Sequence, residues 1–196
     1  MVNKCTYTDY ILALIIATFA SVREATTLDN ILSRHEHNQT WIHMLSRDET
    51  VNLAKRYAEE GYLCSEAVLL ALADCFGVES EIIPKIATGF GAGIARSGEV
   101  CGAIVGAIMG LGLLFGRNTT SRPTNRAVYL YARSLTDAFI KEHGCLRCPD
   151  LLGLDLNKDY EEYQRNGLWV NRCRGIIVSA TGMAYDIATD ELKLNR

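Results

Sequence analysis

Four cysteines, Cys64, Cys101, Cys148 and Cys173, each fall where the sequence predicts the start of a helix. Unpaired N–H groups and the helix dipole favour negative charge there, which lowers a thiol's pKa and yields thiolate. Thiolate is the form that binds metals and attacks disulfides. Four thiolates from separate helices, converging on one point, are what a zinc ion or an iron–sulfur cluster requires, and a metal would neutralise their inward-facing charge. The chain has seven cysteines, an odd number, so complete disulfide pairing within one chain is excluded. Spread through a long helical sequence, they point to metal or redox chemistry rather than to disulfide staples. Cys145 is the spare: Cys145-x-x-Cys148 reads as a redox dithiol or a substitute ligand, although no thioredoxin-like strand–helix pattern surrounds it. Cys75 shares the apolar face of Cys64 but lies about 16 Å further along the helix axis, so it is read as a small core residue.

The element that must organise these thiols is Gly98 to Gly116. Glycines at 98, 102, 106 and 110 recur every four residues and would form one bare stripe on a helix. Because glycine costs a helix interior about 1 kcal/mol relative to alanine, the stripe implies close approach by another backbone or by a group held at Cys101. Around it the sequence predicts further helices. Ser46-Arg47-Asp48-Glu49 has the capping-box pattern and opens a helix that turns Val51, Ala54 and Ala58 inward and stops at Gly61. Cys64, Ala67, Val68, Ala71, Leu72 and Cys75 follow at helical spacing up to Gly77. Ser80 to Thr88 reads as a short helix closed by Gly89. Ser121-Arg122-Pro123 opens a helix with Val128, Tyr131, Leu135, Ala138 and Phe139 inward, ended by Gly144. Cys148 is expected at an N-cap before Pro149, and Asp159 to Asn166 as a short polar helix. Cys173, Ile177, Ala180, Ala184 and Ile187 step along the buried face of a long last helix. The expected fold is an all-α, compact bundle around the glycine-rich helix.

The chain of 196 residues divides into an N-terminal extension, 1–45, and a helical cysteine domain, 46–196. The apolar run Tyr10 to Val22 has the character of a signal-peptide core without a clear cleavage site, and Met44 offers a second start. Export is expected only if residues 1–25 act as a signal; otherwise the expectation is cytoplasmic. His35, His37 and His43 lack a further ligand and read as a solvated loop. The net charge of −3 and the absence of a basic stripe argue against nucleic acid. Val100 to Gly116 is uncharged but sits at the bottom of the range of about 17–25 residues that span a bilayer; a membrane-associated packing helix is the third-ranked reading. Gly89 to Gly98 departs from G-x-G-x-x-G and follows no strand, so it reads as a tight bend rather than a nucleotide loop. Arg96 and Glu99 could tune the site at Cys101 by charge, or be a solvated arginine and a helix-start carboxylate. Tyr57, Tyr131, Trp169 and Met183 read as packing residues. No hydrolytic constellation is visible, so an oxidoreductase component is the enzyme class left open. The electron partner and homo-oligomerisation are also open.

The segments Gly61-Tyr62-Leu63-Cys64-Ser65-Glu66-Ala67-Val68, Gly89-Phe90-Gly91-Ala92-Gly93, Gly98-Glu99-Val100-Cys101-Gly102-Ala103-Ile104-Val105-Gly106, Cys148-Pro149-Asp150-Leu151-Leu152-Gly153 and Cys173 resemble the redox-active proteins described by the pattern C…GCAxxG…C…C. The resemblance runs from about Asp48 to Ile187. It implies a helical domain whose Cys64, Cys101, Cys148 and Cys173 bind a redox centre. Pro149 follows Cys148, so C-x-x-C-H is missing and covalent c-type haem is not expected. The favoured cofactor is an iron–sulfur cluster, for electron transfer or redox sensing; structural zinc or dithiol chemistry comes second.

Overall fold

The computed structural model describes residues 44–117, 120 and 125–194. The expectations for residues 1–43, the signal-like run and the three histidines among them, lie outside the described residues, as does the Ser121-Arg122-Pro123 helix start. Among the described residues the fold is all-α, with one isolated antiparallel bridge between Val100 and Arg147. None of the helices described is long and apolar enough to cross a membrane.

Helix α1, Arg47–Glu59, starts on the expected capping box. The Ser46 amide donates to the Glu49 carboxylate at 2.7 Å, and the Glu49 amide donates back to the Ser46 hydroxyl. Thr50, rather than Val51, joins Ala54 and Ala58 on its buried face. The Thr50 hydroxyl survives burial because it donates to the Ser46 carbonyl one turn back, at 2.9 Å.

Helix α2, Cys64–Cys75, is buried along almost its whole length and packs against α3, Gly102–Phe115. Here the glycine spacing acts, with one correction. Gly98 lies outside the helix at φ +77°. Gly102, Gly106 and Gly110 form the stripe, and α2 fills it. A Cβ on Gly102 would lie 2.5 Å from the Cys64 sulfur, one on Gly106 would strike the Ser65 backbone, and one on Gly110 would strike Leu72. The stripe therefore brings two backbones together and leaves no room for a bound group; that room lies elsewhere.

The expected helix at Ser80 to Thr88 is instead a 3-10 turn, Lys85–Phe90, which runs through Gly89. It is pinned to α2 by Ser65, whose hydroxyl donates to the Ala87 carbonyl at 2.7 Å, and by Thr88, which donates to Glu66 at 2.6 Å. Helix α4, Asn125–His143, buries Leu135 and Phe139 against the core, with Val128, Tyr131 and Ala138 half-buried beside them. Two short helices follow, α5 at Cys148–Leu152 and α6 at Tyr160–Arg165. The last helix, α7 at Arg174–Leu194, presents Ile177, Ala180 and Ala184 to the core. It is preceded without a break by a wide π turn, Trp169–Cys173.

Most of the buried apolar side chains among the described residues fall into two clusters. The larger gathers α1, α2, α3, α4 and α7 and contains Cys64, Cys75 and Cys101. The smaller consists of Cys148, Leu152 and Leu156, with Ala92, Leu154, Tyr163 and Cys173 packed against it.

Candidate functional site

Cys64 is the first residue of α2, with Leu63 at the N-cap and Gly61, at φ +102°, shortly before it. Glu66 steadies this start by accepting from the Leu63 amide at 2.8 Å. Cys101 caps α3. Cys148 is the first residue of α5, with Arg147 in the N-cap position that Cys148 was expected to hold.

Cys101 and Cys148 are clipped together by main chain. The Cys101 amide donates to the Leu146 carbonyl at 2.8 Å, and the Cys148 amide donates to the Glu99 carbonyl at 2.9 Å. Arg147 braces the same bridge, its guanidinium donating to the Gly98 carbonyl at 3.1 and 3.2 Å. Cys173 differs from the expectation. It ends a π turn continuous with α7, so its amide is not at a free helix terminus. Widened turns of this kind re-aim one side chain and recur at functional sites.

Gly91–Arg96, the stretch expected as a tight bend, is a left-handed turn. Ala92, Ile94, Ala95 and Arg96 all hold φ between 51° and 67° around Gly93. Each L-residue in that conformation costs about 1–2 kcal/mol, so the surrounding contacts must impose it. Gly93 explains why. A Cβ there would lie 2.6 Å from the Cβ of Cys148, and its carbonyl accepts from the Glu99 amide and the Ser97 hydroxyl, both at 3.1 Å. The bend thus wraps Cys148, and its Ala92 amide reaches the Cys64 sulfur.

All four cysteines line one cavity of about 510 Å³. Its walls also carry Tyr62, Leu151, Leu152, Leu156, Tyr163, Trp169 and Ile176, with the exposed side chains of Arg96, Tyr160 and Gln164 at the rim. Cys75 and Cys145 are not among the lining residues. Cys75 is buried in the larger cluster and Cys145 packs at its margin. Among the described residues, no group of three or more His, Cys, Asp or Glu side chains stands ready to hold a single metal ion.

The expected depression of the thiol pKa values is reversed. Burial pushes Cys64 up, only partly offset by amide hydrogen bonds from Ala92, Ser65, Cys64 itself and Gly102. Cys101 is raised well above the usual thiol range by burial and then by the neighbouring Cys64, Cys148 and Cys173. Burial carries Cys148 to about 12 and Cys173 to about 11. Helix-start amides do act on Cys64 and Cys101, but loss of water outweighs them. With their pKa values raised in this way, the four groups are neutral thiols at neutral pH.

Sequence reasoning missed Tyr163. Its hydroxyl lies 3.6 Å from the Cys173 sulfur, and burial raises its pKa. The available signal was Tyr160 and Tyr163 spaced by three on an otherwise polar helix, which places both rings on one face. Trp169, read as packing, does pack, with its indole N–H donating to the Ala58 carbonyl at 3.3 Å, but it also forms cavity wall.

No curated protein and no solved structure matches the chain. Residues 62–187, more than half of the chain and all four cavity cysteines, match the family described as putative redox-active protein (C_GCAxxG_C_C), and the chain belongs to that family.

Proposed function

We propose that Cys64, Cys101, Cys148 and Cys173 hold an iron–sulfur cluster through which the protein passes electrons or senses redox state. The observation that carries this reading is the meeting of four cysteines, from four separate segments, in one cavity of about 510 Å³. A tetrahedral zinc site needs its sulfurs about 2.3 Å from one point, and no such ready group stands among the described residues. A cluster spreads its thiolate ligands over several irons and suits a roomier cavity. When bound, it would supply one-electron exchange and the positive charge that buried thiolates need.

The chain's own residues have definable parts in this. The amides of Ala92, Ser65 and Gly102 donate toward the Cys64 sulfur, and such hydrogen bonds tune a ligand's basicity. Tyr163 is placed to donate to Cys173. Leu151, Leu152 and Leu156 keep water from the inner wall. Because the thiols are neutral when alone, loading the site releases protons, and uptake strengthens as pH rises.

Anaerobic purification followed by iron, zinc and acid-labile sulfide determination tests the proposal. Iron and sulfide in equal amounts, with visible charge-transfer absorbance that bleaches on reduction, are expected. Stoichiometric zinc, or a metal-free protein with a reversible disulfide, would overturn it.

A further inference from the structure

Beside its four thiols, the cavity is lined by side chains of a different chemical character. The cavity of about 510 Å³ is of the size class that houses small organic ligands, and the thiols line only part of it. Four aromatic rings belong to that lining, those of Tyr62, Tyr160, Tyr163 and Trp169, and Tyr160 is the exposed one. Arg96 is the charged side chain among the lining residues, and no Asp or Glu lines the cavity with it. Its guanidinium lies 4.1 Å from the centre of the Tyr160 ring, and it makes no ion pair among the described residues. It also stands at the end of the left-handed turn, at φ +67°, so strained backbone delivers this cation to the rim. Gln164 adds an amide at the same rim.

We infer that this part of the cavity binds a small organic carboxylate with a planar, apolar body. Arg96 pairs with the carboxylate in its forked, two-donor geometry. The aromatic walls take the planar body, whose inner edge faces the thiols. This rests on the preceding reading only in taking the thiol end as the seat of the redox centre. It names the class of molecule that would approach that centre.

The test is a ligand-observed NMR titration of the full chain with benzoate, and with benzyl alcohol as its uncharged counterpart. Iron is determined on the same preparation. Benzoate is expected to bind saturably and more tightly than benzyl alcohol. Arg96→Gln should weaken benzoate by about tenfold and leave benzyl alcohol unchanged, and Arg96→Lys should fall between. Arg96 is exposed, so both variants are expected to fold. Equal binding of the two probes by the wild type, or an Arg96→Gln protein that binds benzoate as the wild type does, would overturn the inference. Arg96-dependent benzoate binding by iron-free protein supports the carboxylate site and removes the cluster reading. Iron-loaded protein without such binding removes the carboxylate site alone.

Discussion

The two walls that carry the cysteines are built differently. Cys64 and Cys101 belong to the large core, where α2 and α3 touch backbone to backbone along Gly102, Gly106 and Gly110. Cys148 and Cys173 belong to a small cluster of three buried residues and the side chains leaning on them. The first wall is fixed by close packing, where even one added methyl has nowhere to go. The second is fixed by a few main-chain hydrogen bonds around Val100 and Arg147, by the left-handed turn and by the π turn before α7. The lesson is that a four-cysteine cavity need not sit inside a core. It lies at the seam where a tight core meets a lighter flank, and such a seam leaves room for a ligand.

The comparison breaks most directly at the cysteines. On the cluster proposal, Cys101→Ala is expected to abolish iron binding, whereas Cys75→Ala, buried in the same large cluster, should keep it and lose only stability. Metal analysis beside thermal unfolding separates the two, and iron retained by Cys101→Ala would dissolve the distinction. Next in size is the glycine seam. Gly106→Ala drives a Cβ into the Ser65 backbone and should cost about 3 kcal/mol in urea unfolding. Leu156→Ala, in the small cluster, should cost about 2 kcal/mol. It should raise amide exchange across 148–165 while α2 and α3 stay protected; uniform loosening would show that the two walls are one unit.

Smaller effects sharpen the contrast. Gly112 lies in α3 but off the stripe, with open space where a Cβ would go. Gly112→Ala should therefore stabilise by about 0.5–1 kcal/mol, the opposite sign to Gly106→Ala on the same helix. The smallest effect is at the far end of the core. Hydrogen bonds from the Ser46 hydroxyl and amide hold the Glu49 carboxyl below its usual value. A depressed carboxylate pKa contributes stability above the unfolded value of about 4.5 that is lost as pH falls through the folded one. The gap in unfolding midpoint between wild type and Glu49→Ala should be present at pH 6 and shrink toward pH 3. A gap independent of pH would show that the charge is irrelevant to the cap.

What the amino-acid order settled by itself is local. The capping box at Ser46, the stop at Gly61, the apolar faces of α2, α4 and α7 and the placing of Cys64, Cys101 and Cys148 at helix starts all depend on spacing along a single segment, and helical periodicity is written in the sequence. The spacing of the glycines also announced close approach. Tertiary structure alone decided what approached, which was α2 and not a cofactor. It decided that burial would outweigh the helix-start amides and raise the thiol pKa values, because desolvation depends on atoms supplied by other segments. The left-handed turn at Ala92–Arg96, the π turn that aims Cys173 and the contact of Tyr163 with its sulfur belong to the same class. Each is a conformation that its own residues do not prefer, and only packing against distant parts of the chain imposes it.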